Sequence, residues 1–294
     1  MKHLLSLSDL SPVDVREILA LSQRADLPRV LEGKGVALYF EKPSARTRNS
    51  MELAAVQLGG HPIYLQPAEL GIGTRESAAD IARTLGCYHG LIAARVFDHA
   101  VLDGLAEASP VPLINMLSGS DHPLQALADM LTIEQLVGRT EGAKVAFVGD
   151  GNSNVARSLA QGCVMLGAEL TIASPAEFAL SNAPSGVKQT EDPMEAVQGA
   201  EIIYTDVWVS MGQATEEEAR VAALTPYRVD EALMAHAPNA WFLHCLPARR
   251  GEEVTAGVID GPRSAVWRQA ENRMHSARGA MAWLLGVRPR SRDD

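Results

Sequence analysis

The sequence predicts an α/β protein with two doubly wound domains, each a central parallel sheet flanked by helices. Three observations carry this. Short apolar runs at 35–40, 61–65, 91–96, 111–115, 144–148, 169–173, 201–205 and 240–245 read as strands, and amphipathic stretches lie between most of them. Such alternation builds parallel sheets covered on both faces. The 294 residues are long for one core and suit two domains.

Taken in order, Ser11-Pro12 pairs an N-cap with proline at the first helical position and opens a helix through about Ala25. The strand Gly35–Phe40 is followed by Glu41-Lys42-Pro43-Ser44-Ala45-Arg46-Thr47-Arg48, then by a helix with Met51, Ala55 and Leu58 on one face. A long helical pattern starts at Pro123, carries Leu127, Met130, Leu131 and Leu136, and runs out at Gly138–Gly142, the expected domain boundary. The polar, turn-rich segment 181–193 leaves little room for a full crossover helix before Pro193. The last seven residues, from Arg288, read as a frayed tail.

Composition excludes several function classes. The net charge of −10 and the lack of a basic stripe argue against nucleic acid as a partner. No apolar run is long enough for a membrane span. The three cysteines, Cys87, Cys163 and Cys245, lack metal-ligand spacing and predict free thiols in a reducing compartment. With no apolar leader-like segment at its start, the sequence is expected to act in the cytoplasm.

In open α/β sheets ligands bind beyond the carboxyl ends of the strands. Six polar clusters follow the expected strands: Lys42–Arg48; Arg95; His122 with Gln125; Gly149–Asn154; Asp206–Gly212; and Leu246–Gly251. The first sets Arg46 and Arg48 in the first turn of a helix, whose N-terminus already carries partial positive charge. A bound phosphate resolves that conflict: Ser44 caps the helix, free backbone N–H groups point outward, and guanidinium groups grip phosphate oxygens. Arginines paired with Glu41 or Glu52 at the surface are the alternative. His122 and Gln125 share one helix face and suit a small carbonyl group, with a helix-capping histidine as the alternative. Asp206 suits a substrate ammonium group, or a turn; Cys245 is otherwise a small buried hydrophobe. Arg273 by itself reads as a surface charge on a helix. Gly149-Asp150-Gly151 resembles a dinucleotide turn, but position 154 holds Asn and no acidic residue ends the next strand.

Together these clusters resemble the transcarbamoylase family, and within it the ornithine carbamoyltransferases, over nearly the whole chain. The resemblance rests on Lys-Pro-Ser-Ala-Arg-Thr-Arg at 42–48, Gln-Leu-Gly-Gly-His at 57–61, Arg-Glu-Ser at 75–77, Ala-Arg-Val at 94–96 and His-Pro-Leu-Gln-Ala-Leu-Ala-Asp at 122–129. It continues in Asp-Val-Trp-Val-Ser-Met-Gly-Gln at 206–213, His-Cys-Leu-Pro-Ala at 244–248 and Glu-Asn-Arg-Met-His at 271–275. The resemblance implies transfer of a carbamoyl group from carbamoyl phosphate to the side-chain amine of L-ornithine. It implies that Ser44, Ala45, Arg46 and Thr47 hold the phosphate. Arg95, His122 and Gln125 contact the carbamoyl end, and Cys245, Leu246 and Arg273 complete that site. Asn154, Asp206, Ser210 and Met211 bind ornithine; Arg95, His122, Asp206 and Cys245 are the expected catalytic set. Residues 1–138 become the carbamoyl phosphate-binding domain, with a C-terminal helix at about 272–287 packing back onto it, and 139–271 the ornithine-binding domain. The family forms trimers or multiples of trimers with sites at subunit interfaces, so a homotrimer is expected, with no cofactor.

Three departures from the family pattern stand out. Ala45 replaces a frequent threonine, Gly71 stands where a Gln or His usually reaches the neighbouring subunit's site, and the 176–193 segment is shorter than usual. Rival readings are a transcarbamoylase for putrescine or an acylated ornithine, an NAD-dependent dehydrogenase, and a non-catalytic paralogue. The direction, toward arginine synthesis or breakdown, is left open.

Overall fold

The computed structural model describes residues 1–209 and 217–289. The chain divides into two compact units, one of residues 1–128 with the chain from Asn272 onward, the other Asp129–Glu271. Both are α/β, with all-parallel sheets.

The first unit is built on four strands, β1 (Gly35–Phe40), β2 (His61–Leu65), β3 (His89–Arg95) and β4 (Leu113–Leu117), in the order β2-β1-β3-β4. Successive residues of β1, from Val36 to Phe40, are all buried, as a strand covered on both faces requires. One face packs Ala37, Tyr39, Ile92 and Ala94 against Ile81 and Leu85 of α4 (Ala78–Tyr88) and Leu102 and Leu105 of α5 (His99–Ala108). The helix α1 (Pro12–Ser22) has a full capping box between Ser11 and Asp14 and ends three residues earlier than expected. The helix α2 (Ala45–Gln57) is capped by Ser44 and buries Met51, Ala54 and Ala55.

Gly71 closes the short helix α3 (Pro67–Leu70) in the left-handed conformation, φ 60°. A Cβ there would lie 2.8 Å from Arg75 Cβ. Glycine at this position therefore has a local reason, a helix C-cap followed by a tight turn.

The second unit holds β5 (Lys144–Val148), β6 (Glu169–Ala173), β7 (Lys188–Thr190), β8 (Ile202–Thr205) and β9 (Trp241–His244), in the order β7-β6-β5-β8-β9. The edge strand β7 was not among the expected strands. It has three residues, two of them exposed, so no apolar run betrays it. The short helix α8 (Pro193–Val197) follows it, in keeping with the little room that segment offers. One sheet face packs Ala146, Val148, Ile203 and Phe242 against Val197, Leu233 and Val258. On the other, Phe147 and Tyr204 pack with ring centroids 5.6 Å apart and ring planes tilted by 53°.

Both sheets reverse strand order once, between β1 and β3 and between β5 and β8. At such a switch point the loops leaving neighbouring strands diverge and open a crevice at the carboxyl ends. The segments that leave these four strands are Glu41–Arg48, Arg95–Phe97, Gly149–Asn154 and Asp206–Trp208.

Candidate active site

The first cluster belongs to the first unit and grows from the ends of β1 and β3. Phe40 and Arg95 are register partners, and Glu41 N–H donates to the Arg95 carbonyl at 2.9 Å. That pairing brings the start of α2 beside the Arg95 side chain. Ser44 Oγ accepts from Thr47 N–H at 3.4 Å and donates to Thr47 Oγ1 at 3.2 Å. Arg95 Nη1 donates to the same Thr47 hydroxyl at 3.3 Å, although only 7 % of Arg95 is exposed. Ala45 takes the first helical position and keeps its backbone N–H directed out of the helix end.

The two first-turn arginines part company. Arg48 Nε donates to Glu52 at 2.7 Å, and its guanidinium lies 4.2 Å from the Tyr64 ring centre. This is the surface pairing that the sequence offered as the alternative. Arg46 is exposed and makes no ion pair with a described residue.

His122 precedes α6 (Pro123–Val137), and both it and Gln125 are buried. Burial pushes the His122 imidazole well below its ordinary pKa, and the positive charges of Arg273 and Arg95 push it the same way. His122 is therefore neutral near pH 7, with two guanidinium groups close by. Arg273 lies on α12 (Val266–Leu284) and is only 6 % exposed, so its reading as a surface charge is corrected. Sequence alone could not bury it: Ser276, one helical turn on, donates to the Leu124 carbonyl at 3.2 Å, a contact across 152 positions that docks α12 beside His122. Lys42 is also pushed below its usual pKa, by burial and then by Arg95, and lies over the Phe97 ring at 5.7 Å. Guanidinium groups that depress the protonation of their neighbours make a site that gains from an anion.

The second cluster belongs to the second unit. Asp206, just past β8, is 9 % exposed and accepts from the Cys245 thiol at 3.0 Å. The thiol acts here as a hydrogen-bond donor to a carboxylate, not as a passive hydrophobe. Leu246 follows with φ 60° and a cis bond to Pro247. Asn154 opens α7 (Asn154–Leu166), behind the Ser153 cap. Asp150 pairs with Arg220, each about a tenth exposed. Its carboxyl is nonetheless pushed up by burial, with Asp206 adding to the rise and Arg220 opposing it. Ser210 and Met211 lie outside the described residues.

The glycines before Asn154 have a packing reason. A Cβ on Gly149 would meet Thr205 Oγ1 at 3.2 Å and Trp208 Nε1 at 3.4 Å; one on Gly151 would meet Ile172 Cγ2 at 2.8 Å. No pyrophosphate is needed to account for them. Asp206, His244 and Cys245 place one ligand atom each within 4.8 Å of one another. Yet His244 Nδ1 accepts from Leu246 N–H at 2.8 Å, and Nε2 lies 3.1 Å from Glu253. Both ring nitrogens are engaged, so an ion there would have to break one of these bonds.

Sequence reasoning passes over Glu253 and Arg220. Glu253 is fully buried and partners a histidine nine positions away; Arg220 reaches Asp150 across 70 positions. No motif spacing signals either contact.

Comparison with known proteins agrees with this geometry. The family described as "Aspartate/ornithine carbamoyltransferase, carbamoyl-P binding domain" matches residues 2–135, and "Aspartate/ornithine carbamoyltransferase, Asp/Orn binding domain" matches 141–284. An ornithine carbamoyltransferase of Bacillus subtilis is 46 % identical over 97 % of this chain and 94 % of its own length. One from Hyperthermus butylicus is 47 % identical over 97 % of each. Among solved structures, ornithine carbamoyltransferase from Pyrococcus furiosus has a TM-score of 0.92 at 41 % identity, covering 98 % of both chains. A mutant N-acetyl-L-ornithine transcarbamylase has a TM-score of 0.85 at 32 % identity, covering 97 % of this chain and 100 % of its own. The chain belongs to the aspartate/ornithine carbamoyltransferase family.

Proposed function

We propose that the chain transfers the carbamoyl group from carbamoyl phosphate to the side-chain amine of L-ornithine, giving L-citrulline and phosphate. The observation that carries this is the cationic cluster around neutral His122 in a chain of net charge −10. It lies where β1 and β3 diverge and next to a capped helix N-terminus, a setting for phosphate. We assign 1–138, with the C-terminal helix, to carbamoyl phosphate and 139–271 to ornithine, the compact units themselves dividing between Ala128 and Asp129.

Ser44, Ala45, Arg46 and Thr47 bind the phosphate through the helix end and the free guanidinium. Arg95, His122 and Gln125 address the carbamoyl group, with Arg273, Cys245 and Leu246 completing its surroundings. As the amine nitrogen attacks the carbamoyl carbon, negative charge grows on the carbonyl oxygen. Arg95 donates to it, and a neutral imidazole donates without a charge to be lost. The tetrahedral centre then collapses, the bond to the phosphate oxygen breaks, and phosphate leaves with the electron pair, held by Arg46.

The amine must lose a proton to react. A lysine-like amine has a pKa near 10.4, so about one part in a thousand is neutral at pH 7.4. Desolvation raises that fraction, whereas the Asp206 carboxylate favours the ammonium form. Asp206 therefore serves orientation, with Cys245, Asn154, Ser210 and Met211, and not simple base catalysis. The first proton goes to solvent before attack; a second N–H proton, made acidic once the nitrogen bonds the carbamoyl carbon, passes to the departing phosphate, which leaves as hydrogenphosphate.

The decisive experiment is citrulline formation from carbamoyl phosphate and ornithine, with putrescine and N-acetylornithine run beside it. Turnover confined to another amine would overturn the substrate assignment. We place the enzyme in the cytoplasm, in keeping with free thiols at Cys87, Cys163 and Cys245. No helix among the described residues is long and apolar enough to cross a membrane. An anabolic direction, toward arginine, is supported by 44 % identity to a Pyrococcus furiosus protein named "Ornithine carbamoyltransferase, anabolic". A homotrimer is supported by the family resemblance and by exposed apolar Leu53 and Val56 on α2; sedimentation velocity reads it directly.

A further inference from the structure

We propose that His244 and Glu253 are positioning residues that set the Cys245–Leu246 turn against Asp206. The inference rests on the reading of Cys245 and Asp206 as substrate-contacting groups. Neither His244 nor Glu253 is exposed at all.

The hydrogen bonds fix a direction. Leu246 N–H donates to His244 Nδ1 at 2.8 Å, so Nδ1 carries no proton. The ring proton is then on Nε2 and is donated to Glu253 Oε1 at 3.1 Å. The same carboxylate oxygen accepts from Arg249 N–H at 2.6 Å. One imidazole and one carboxylate thus hold both ends of the 245–249 turn, where β9 ends. The His244 backbone is tied in turn: its N–H donates to Gln269 Oε1 at 2.9 Å, and Gln269 donates to buried Asp129 at 2.7 Å.

The turn needs such a hold. Leu246 adopts φ 60°, the left-handed region that disfavours a residue with a Cβ. A neighbour that accepts its N–H in that conformation offsets the cost. Cys245 sits between His244 and Leu246, so the direction of its thiol toward Asp206 follows from the two residues held on either side. Removing the ring frees Leu246 N–H and with it the thiol.

The test compares His244→Leu with His244→Asn and Glu253→Gln, in a Cys87→Ser background so that the buried Cys163 is the only other cysteine. Asparagine keeps an oxygen that can accept an N–H two residues on, and glutamine keeps an acceptor for Arg249 and His244. Two quantities are read: kcat for citrulline formation, and the alkylation rate of Cys245 by iodoacetamide. His244→Leu is expected to lower kcat at least tenfold. It should speed alkylation several-fold, because a thiol no longer facing a carboxylate ionises more readily. His244→Asn and Glu253→Gln should stay within threefold of the parent in both. A folded His244→Leu with both rates unchanged, or His244→Asn no better than His244→Leu, overturns the proposal. Should the leucine variant not fold, a tenfold loss of kcat in His244→Asn overturns it equally, and retention within threefold supports it. Cys245→Ala and Asp206→Asn separate the underlying reading: if both keep full turnover, the site assignment fails, whatever His244 does.

Discussion

Replacing Arg46 with alanine separates binding of a ligand from stability of the fold. Arg46 holds the second position of α2, is exposed, and makes no ion pair with a described residue. Its truncation breaks no ion pair with a described residue. It also removes a cation from a helix N-terminus, where positive charge costs about 0.3–1 kcal/mol at low salt. The unliganded protein should therefore unfold at the same temperature or slightly higher. The reaction should behave in the opposite sense. A charge-assisted hydrogen bond to phosphate contributes about 1.5–3 kcal/mol, and taking about 2 kcal/mol gives a loss of roughly thirtyfold in kcat/KM. Two assays read this: citrulline formation with carbamoyl phosphate subsaturating, and thermal unfolding with and without inorganic phosphate. The phosphate-induced rise in Tm should shrink in the variant, because weaker binding stabilises less. Activity within threefold of the parent would refute the phosphate role. A loss of activity matched by a Tm several degrees lower would refute the claim that Arg46 is free of structural duty.

Asp206→Asn should cut ornithine turnover at least tenfold while the affinity for carbamoyl phosphate, measured by calorimetry, changes little; a tenfold loss of that affinity would contradict the division between clusters. His122 is held below its ordinary pKa by burial first, then by Arg273 and Arg95, so the unfolded chain binds the proton more readily. The resulting stability is present above about pH 6.5 and is lost as pH falls below it, in the same sense as for His89 and His3. His122→Gln should therefore lose less Tm than the parent between pH 7.5 and pH 5, and an identical slope would argue against a buried neutral imidazole. Arg278, 6 % exposed, donates to Gln57 Oε1 at 2.8 Å and to the carbonyls of Ser22 and Arg24 at the end of α1. Arg278→Met leaves those carbonyls unmet and should cost about 2 kcal/mol, lowering Tm by roughly 4–8 °C in calorimetry, whereas an unchanged Tm would show water replacing the guanidinium.

Much of this protein is local and was therefore legible in order along the chain. The β1 run, the Ser44 cap and the arginines behind it lie within 14 residues, and each acts on its own backbone. Apolar runs mark strands buried on both faces, so β1, β5 and β6 start and end where the pattern does. Strand β7 escaped because an edge strand of three residues, two of them exposed, leaves no such run. The role of Arg273 comes from resemblance alone. Nothing in spacing distinguishes a buried arginine on a helix from a surface one.

The sequence by itself determined the strand and helix pattern, the helix caps and the polar residues that follow each strand, because periodicity, capping and turn chemistry act over a few neighbours. Tertiary structure alone decided which of those polar groups meet. It buried Arg273 beside His122, gave Arg48 to Glu52 and Tyr64 while leaving Arg46 exposed, and closed the His244–Glu253 pair around Leu246. Burial and charge proximity, which set whether an imidazole is neutral or a thiol is a donor, are properties of atoms brought together from distant positions, and no window of the chain contains them.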